Sequence, residues 1–235
     1  MSQSKRHGDF LTIPRLDQIP YLVHGFGTKK WKDTDFKKRP EWAGFRLLFL
    51  NQVHSSTIRF IDRLPEKRLR GDAMITDIPE LFLIIKSADC LPVLLVDEFR
   101  KIIAAVHCGW RGTSKRVIKI AVQGMADRYK CQPSSLLVAL GPCIESECYE
   151  VGEDVLQSFK KEGFSTEFFR AHPSKKNKYL FDLKGENISQ MLSLGIEKKN
   201  IYCVDGCTHC DESFPSHRRD REKAGRMLSF IGMSF

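Results

Sequence analysis

The chain has 235 residues, enough for one domain with a full core, and an ordinary 42% of them are hydrophobic. Its longest apolar runs are only strand-length, and the opening MSQSKRHGDF lacks the apolar stretch of a secretory signal, so neither a membrane span nor export is expected. The net charge of +9 lies almost wholly in residues 1–70, where 15 Lys and Arg face 7 Asp and Glu; aromatic and apolar residues interrupt these cations, which favours a basic face drawing small anionic substrates over a nucleic-acid arm.

In chain order, LTIPRL and YLVHGF come first, followed by KKWKDTDFKKRPEWAG. This polar, Pro/Gly-punctuated stretch, 29–44, is expected to be a charged surface loop and not a linker. Runs rich in Val, Ile, Leu and Phe predict strands over 46–50, 57–61, 82–86, 91–96, 101–107, 136–140 and 201–204. Helices are predicted over 114–129, 152–161, 184–194 and 220–228. The first would be capped by Thr113, with Val117, Ile120, Ala121, Met125 and Tyr129 on its core face. Hairpins mixed with helices predict an α/β fold of α+β character, a layered single domain over 1–235 with a mixed β-sheet. Eight cysteines in such a chain suggest a reducing cytoplasm, with thiols free or metal-bound.

Three motifs carry candidate chemistry: NQVH with His54, SADC with Cys90, and AAVHCGWRG with His107. Asp97-Glu98-Phe99-Arg100 reads as a hairpin turn between LPVLLV and KIIAAV. If Glu98 and Phe99 form a two-residue loop, Cys90 and His107 are directly opposed, with Cβ atoms roughly 4.5–5.5 Å apart. Such a pair can share a metal or act as a thiolate and imidazole; equally, it can be a buried cysteine beside a core histidine. HCGWRGT lies between a strand and a helix start, where Gly109 and Gly112 permit tight turning and Arg111 offers a planar fork for an anion. Asp89 can orient a ligand, carry a proton or simply cap a turn. Cys207 and Cys210 form a CxxC, with Cys203 four residues earlier. A structural zinc there wants a second pair of ligands, and Cys143 and Cys148 are spaced differently. Arg218 and Arg219 follow a loop and can point into a cleft. No phosphate-binding P-loop, dinucleotide fingerprint or nucleophile elbow is present.

Taken in order, NQVHSSTI, GDAMITD, SADCLPVLLVD, AAVHCGWRGT, ALGPCIESECYEVGEDV, FDLKGENISQML and CTHCDESFPSHRRDREKAGRMLSFI resemble the blocks of the YfiH-like family. That family is also named for multicopper polyphenol oxidase, laccase-domain protein and purine nucleoside phosphorylase. The resemblance implies a layered α/β fold, also likened to cysteine hydrolases of the cytotoxic necrotizing factor type. It implies zinc on His54, Cys90 and His107, with copper as the family title's alternative. The activity it implies is phosphorolysis of adenosine, inosine and methylthioadenosine, with adenosine deamination as well. One block departs: after HGF the family carries S/T-x-R-x-G-G-V-S, whereas GTKKWKD stands here and Lys29 takes the place of the Arg. Lysine lacks the bidentate fork, so the pocket on that side is expected to be altered.

The expectation is therefore a cytoplasmic zinc enzyme, monomer or homodimer, whose partners are a purine nucleoside and phosphate, without nucleic acid or membrane. Arg111 is the phosphate candidate, Lys29, Arg218 and Arg219 are further substrate-side cations, and Asp89 is the proton carrier. The rivals are a metal-free hydrolase with Cys90 as nucleophile and His107 as base, a copper phenol oxidase, and a metal-stabilised binding module without turnover.

Overall fold

The computed structural model describes residues 4–234. Its first mixed sheet runs, in spatial order, β1 (Lys5–His7), β2 (Phe10–Thr12), β3 (Leu22–Gly27), β15 (Met227–Met233), β7 (Leu81–Ser87) and β4 (Arg46–Phe49). The second runs β14 (Ile201–Cys203), β10 (Leu137–Leu140), β8 (Leu91–Asp97), β9 (Ile102–Cys108), β6 (Ala73–Thr76) and β5 (Ile58–Phe60). A small third sheet joins β11 (Glu150–Gly152), β13 (Lys178–Phe181) and β12 (Phe169–Ala171). The layered α/β architecture is as expected, although two large mixed sheets take the place of one.

Strand alternation builds the layers. Val93, Leu95, Ala104 and Val106 face the helix α4 (Val117–Tyr129), while Leu94, Val96, Ile103 and Ala105 turn the other way, toward Leu83, Ile85 and Ile231 of the first sheet. Being covered on both sides, β8 and β9 are apolar without interruption. The outer face of the first sheet is covered in turn. Phe82, Ile84, Leu228 and Phe230 pack there against Trp31, Phe36 and Trp42. The 29–44 stretch is thus more than a charged loop: its lysines stay in water while α2 (Asp33–Phe36) and its neighbours bury three aromatics, with Trp31 and Phe36 rings 5.3 Å apart.

Two helix expectations need correction. The helix expected from residue 114 begins as a short α3 (Trp110–Ser114), breaks at Arg116 with φ of 58°, and resumes as α4 at Val117. Thr113 lies inside α3 and bonds Asn187, so it is not a cap. The helix expected over 220–228 is absent. A short helix (His217–Asp220) ends before Arg221, and Met227–Met233 forms a fully buried strand between β3 and β7. Good helix formers in REKAGRM are overruled by an alternating apolar run that buries both faces. Gly232 belongs to that run because a Cβ would meet Phe82 at 2.6 Å.

The central hairpin also differs in register. β8 and β9 pair with Pro92 opposite His107 and Leu91 opposite Cys108. The turn has four residues, 98–101, because Asp97 Oδ1 accepts from the backbone N–H groups of Phe99 and Arg100, and Lys101 adopts φ of 55°. A shift of two preserves the face, so Cys90 and His107 remain diagonal neighbours on one side. No helix among the described residues is long and apolar enough to cross a membrane.

Candidate active site

The site lies where β7 ends, β8 begins and β9 ends. His107 closes β9 from the buried side, and the backbone at Asp89, with φ of 82°, turns the chain so that Cys90 precedes β8 facing it. His54 comes from the loop after β4, itself at φ of 56°. One ligand atom from each of His54, Cys90 and His107 lies within 4.8 Å of the other two. The two imidazoles meet edge to face with centroids 4.9 Å apart. Gly109 makes the space: a Cβ there would sit 3.0 Å from Cys90 Sγ and 3.1 Å from His54 Cδ2.

Asp72 organises this group and was assigned no role from sequence. Its buried carboxylate accepts from the backbone N–H groups of His54 at 3.0 Å and Ser55 at 2.6 Å, and from the Ser55 hydroxyl at 2.7 Å. The same group lies 2.9 Å from His107 Nδ1, which assigns that nitrogen the proton and leaves Nε2 for ligation. The left-handed turn at His54 is what aims these donors at one carboxylate. Burial alone would raise the Asp72 carboxyl; the His107 bond and the Ser55 donors outweigh it and bring it down to about 2. Burial likewise opposes a Cys90 thiolate, but the adjoining His107 charge and bonds from both histidines hold the thiol below its usual value. His107 moves the opposite way: burial lowers it, and Cys90 and Asp72 together raise it. The only signal in the sequence was an acid placed directly before an apolar strand, in GDAMIT.

The three side chains open into a cleft of about 630 Å³, a volume suited to a small molecule. Arg68, Lys86, Arg111, Arg218 and Arg226 line it against one carboxylate, Asp89, so its field attracts anions. Trp110 and Tyr149 supply aromatic wall. Arg111 is exposed and stacks on Trp110 with its guanidinium carbon 4.3 Å from the ring centre; no carboxylate among the described residues pairs with it. Arg218 lies over Tyr149 and donates to the Glu150 carbonyl at 2.7 Å.

The other sequence candidates are placed differently. Arg219 is tied to the carbonyls of Thr208, His209 and Phe214 and to Asp220, so it binds its own loop together outside the cleft lining. Lys29 is exposed and is not among the lining residues; its backbone N–H donates to Ser213. Asp89 lines the cleft, yet its carboxylate accepts from the Thr208 hydroxyl at 2.8 Å and the Arg218 N–H at 2.6 Å. It therefore fixes the 206–220 segment against the site.

Residues 35–234 match the family model described as multi-copper polyphenol oxidoreductase laccase. The chain belongs to this family. Among its laccase-domain relatives, a purine nucleoside phosphorylase of Clostridium acetobutylicum is 35% identical over 188 residues, covering 78% of this chain and 75% of that protein. The adenosine deaminase RL5 of an unknown prokaryotic organism is 32% identical over 195 residues, covering 79% and 74%. The crystal structures of YlmD from Geobacillus stearothermophilus and of the hypothetical protein YfiH from Bacillus licheniformis each match with a TM-score of 0.88 over 100% of both chains, at 28% and 27% identity.

Proposed function

We propose that this laccase-domain protein is a zinc-dependent purine nucleoside phosphorylase acting on adenosine, inosine and methylthioadenosine, and also an adenosine deaminase. The observation that carries the reading is one juxtaposition: a two-histidine, one-cysteine group opens into a basic, aromatic-walled cleft of about 630 Å³. The donor set suits zinc, because two imidazoles and a thiol held below its usual pKa converge, and Asp72 orients one of the rings. His54, Cys90 and His107 would hold the zinc, which would supply Lewis acidity and lower the pKa of water to about 7. The relatives named as phosphorylases and as a deaminase support the same substrate class.

The chain's own groups have distinct tasks in this reading. Arg111, paired with no carboxylate among the described residues, receives phosphate, and Arg218 adds positive charge from the same cleft lining. Trp110 and Tyr149 hold the flat base and exclude water around it. Holding phosphate beside the sugar turns a two-body encounter into a positioned one. The same cations stabilise the negative charge that develops on the departing base, while the bound phosphate offsets the positive charge on the sugar. Asp89, first expected to carry the proton, is a positioning residue in this proposal, since donors already occupy its carboxylate. The setting is a reducing cytoplasm, and the acting unit a monomer or homodimer.

One observation favours a second reading. Cys90, His107 and Asp72 stand in the order nucleophile, base and orienting carboxylate, the logic of a metal-free cysteine hydrolase. That pair has no need of His54, whose convergence supports the metal. The copper phenol oxidase reading rests on the family's title. It needs several histidine-rich sites, and of seven histidines only His54 and His107 join such a group among the described residues. Turnover of nucleoside with phosphate, measured with a chelator and with a thiol-directed reagent, separates the readings. Loss on chelation and recovery with zinc supports the metal enzyme; inactivation by the thiol reagent with no response to chelator overturns it.

A further inference from the structure

Away from the cleft group, a second set of soft ligands meets across the fold. Cys148 ends the turn Ser146–Cys148, just before β11, and Cys207 and Cys210 lie in the segment that follows β14. About sixty residues separate them in sequence, yet each sulfur lies within 4.8 Å of the other two. Cys148 Sγ and Cys210 Sγ are 3.2 Å apart. The sulfurs of a tetrahedral zinc site lie about 3.8 Å apart when Zn–S is about 2.3 Å, so small side-chain rotations would bring the trio onto one ion. Cys207 Sγ also accepts the backbone N–H of Glu145 at 3.4 Å. That donor helps fix the position of the sulfur between the two segments. Cys203 and Cys143 do not join the trio, which explains why spacing alone offered no complete ligand set.

We propose that Cys148, Cys207 and Cys210 bind a second zinc ion, separate from the cleft group. The fourth position falls to solvent, which exposed Cys210 admits. The ion would pin the segment ending at Cys148 to the segment 207–210. These two segments lead into Tyr149 and Arg218, the wall of the cleft, and Arg218 already ties them by donating to Glu150. The proposal needs no assumption about the reaction, because its ligands share nothing with His54, Cys90 and His107.

The test is zinc analysis of full-length protein purified under reducing conditions, with intact mass measured on the same sample. Wild type should hold two zinc ions per chain. Cys148→Ser and Cys210→Ser should each hold one, and so should Cys90→Ala. A cobalt titration of metal-stripped Cys90→Ala, which leaves the second trio intact, should give one equivalent with intense sulfur-to-metal absorption; this arm stands even if the Cys148 variant fails to fold. Cys90→Ala protein that binds neither zinc nor cobalt overturns the proposal. So does an intact mass two units low, with Cys148 linked to Cys210, because the trio is then a redox pair and not a metal site.

Discussion

His107 and Asp72 meet at 2.9 Å between Nδ1 and Oδ1, and both are buried. This contact fixes the ring's tautomer and leaves Nε2 as the nitrogen for the site. The same carboxylate holds the His54 backbone, so one residue places two of three candidate ligands.

Replacement of Asp72 should therefore act through the metal. Asp72→Asn should weaken zinc binding by about 10–100-fold, the usual scale for a lost ligand-orienting partner. Competition against a chromogenic chelator measures it. Unchanged affinity would show that His107 needs no such support.

Gly109→Ala gives a narrower perturbation. The backbone there has φ of −79°, which any residue accepts, so folding should be nearly unaffected. The added methyl would press on Cys90 Sγ and the His54 ring, at 3.0 and 3.1 Å. Zinc affinity should fall while the urea midpoint stays within a few tenths molar. If affinity holds, the ligands have more freedom than their packing suggests.

Arg111→Ala should keep zinc and fold but lose most phosphorolysis, by about 10²–10³-fold, as expected when one charged contact to the transition state is removed. Adenosine deamination, which uses no phosphate, should suffer less. Parallel loss of both activities would make Arg111 an organiser of the whole pocket. Loss of neither would pass the phosphate role to Arg218.

The acid limb of stability should report His24. It is buried, and its Nε2 accepts the Ile13 N–H at 2.8 Å. Burial lowers its pKa from 6.5 to about 4, the nearby Asp17 only partly opposing. Between these values the unfolded chain binds a proton that the folded chain refuses, so stability is full above pH 6.5 and falls as the pH drops toward 4. At pH 5 this single group should remove about 2 kcal/mol, since each pKa unit is worth about 1.4 kcal/mol. Urea unfolding at pH 7 and pH 5 measures the difference, and His24→Gln should flatten it. An equal slope in the variant would assign acid sensitivity elsewhere.

The sequence by itself determined what depends on local alternation and turn chemistry. LPVLLV and KIIAAV had to be strands covered on both faces, and the period of two kept Cys90 and His107 on one face even though the Asp97 turn shifted their register. The blocks around His54, Cys90 and His107 also carried the family. Tertiary structure alone decided what depends on partners distant in the chain. Only the meeting of the 53–55 turn with Asp72 reveals the carboxylate that orders the site. A slot between β3 and β7 turned Met227–Met233 into a strand against its helix-forming lead-in. The same physics sorted the arginines: Arg219 found carbonyls within its own loop, and Arg111, stacked on Trp110 with no carboxylate partner among the described residues, was left facing the cleft. It also brought Cys148 to Cys207 and Cys210, because ligand sets assemble by distance in space, and spacing along a chain records that only when one segment supplies them all.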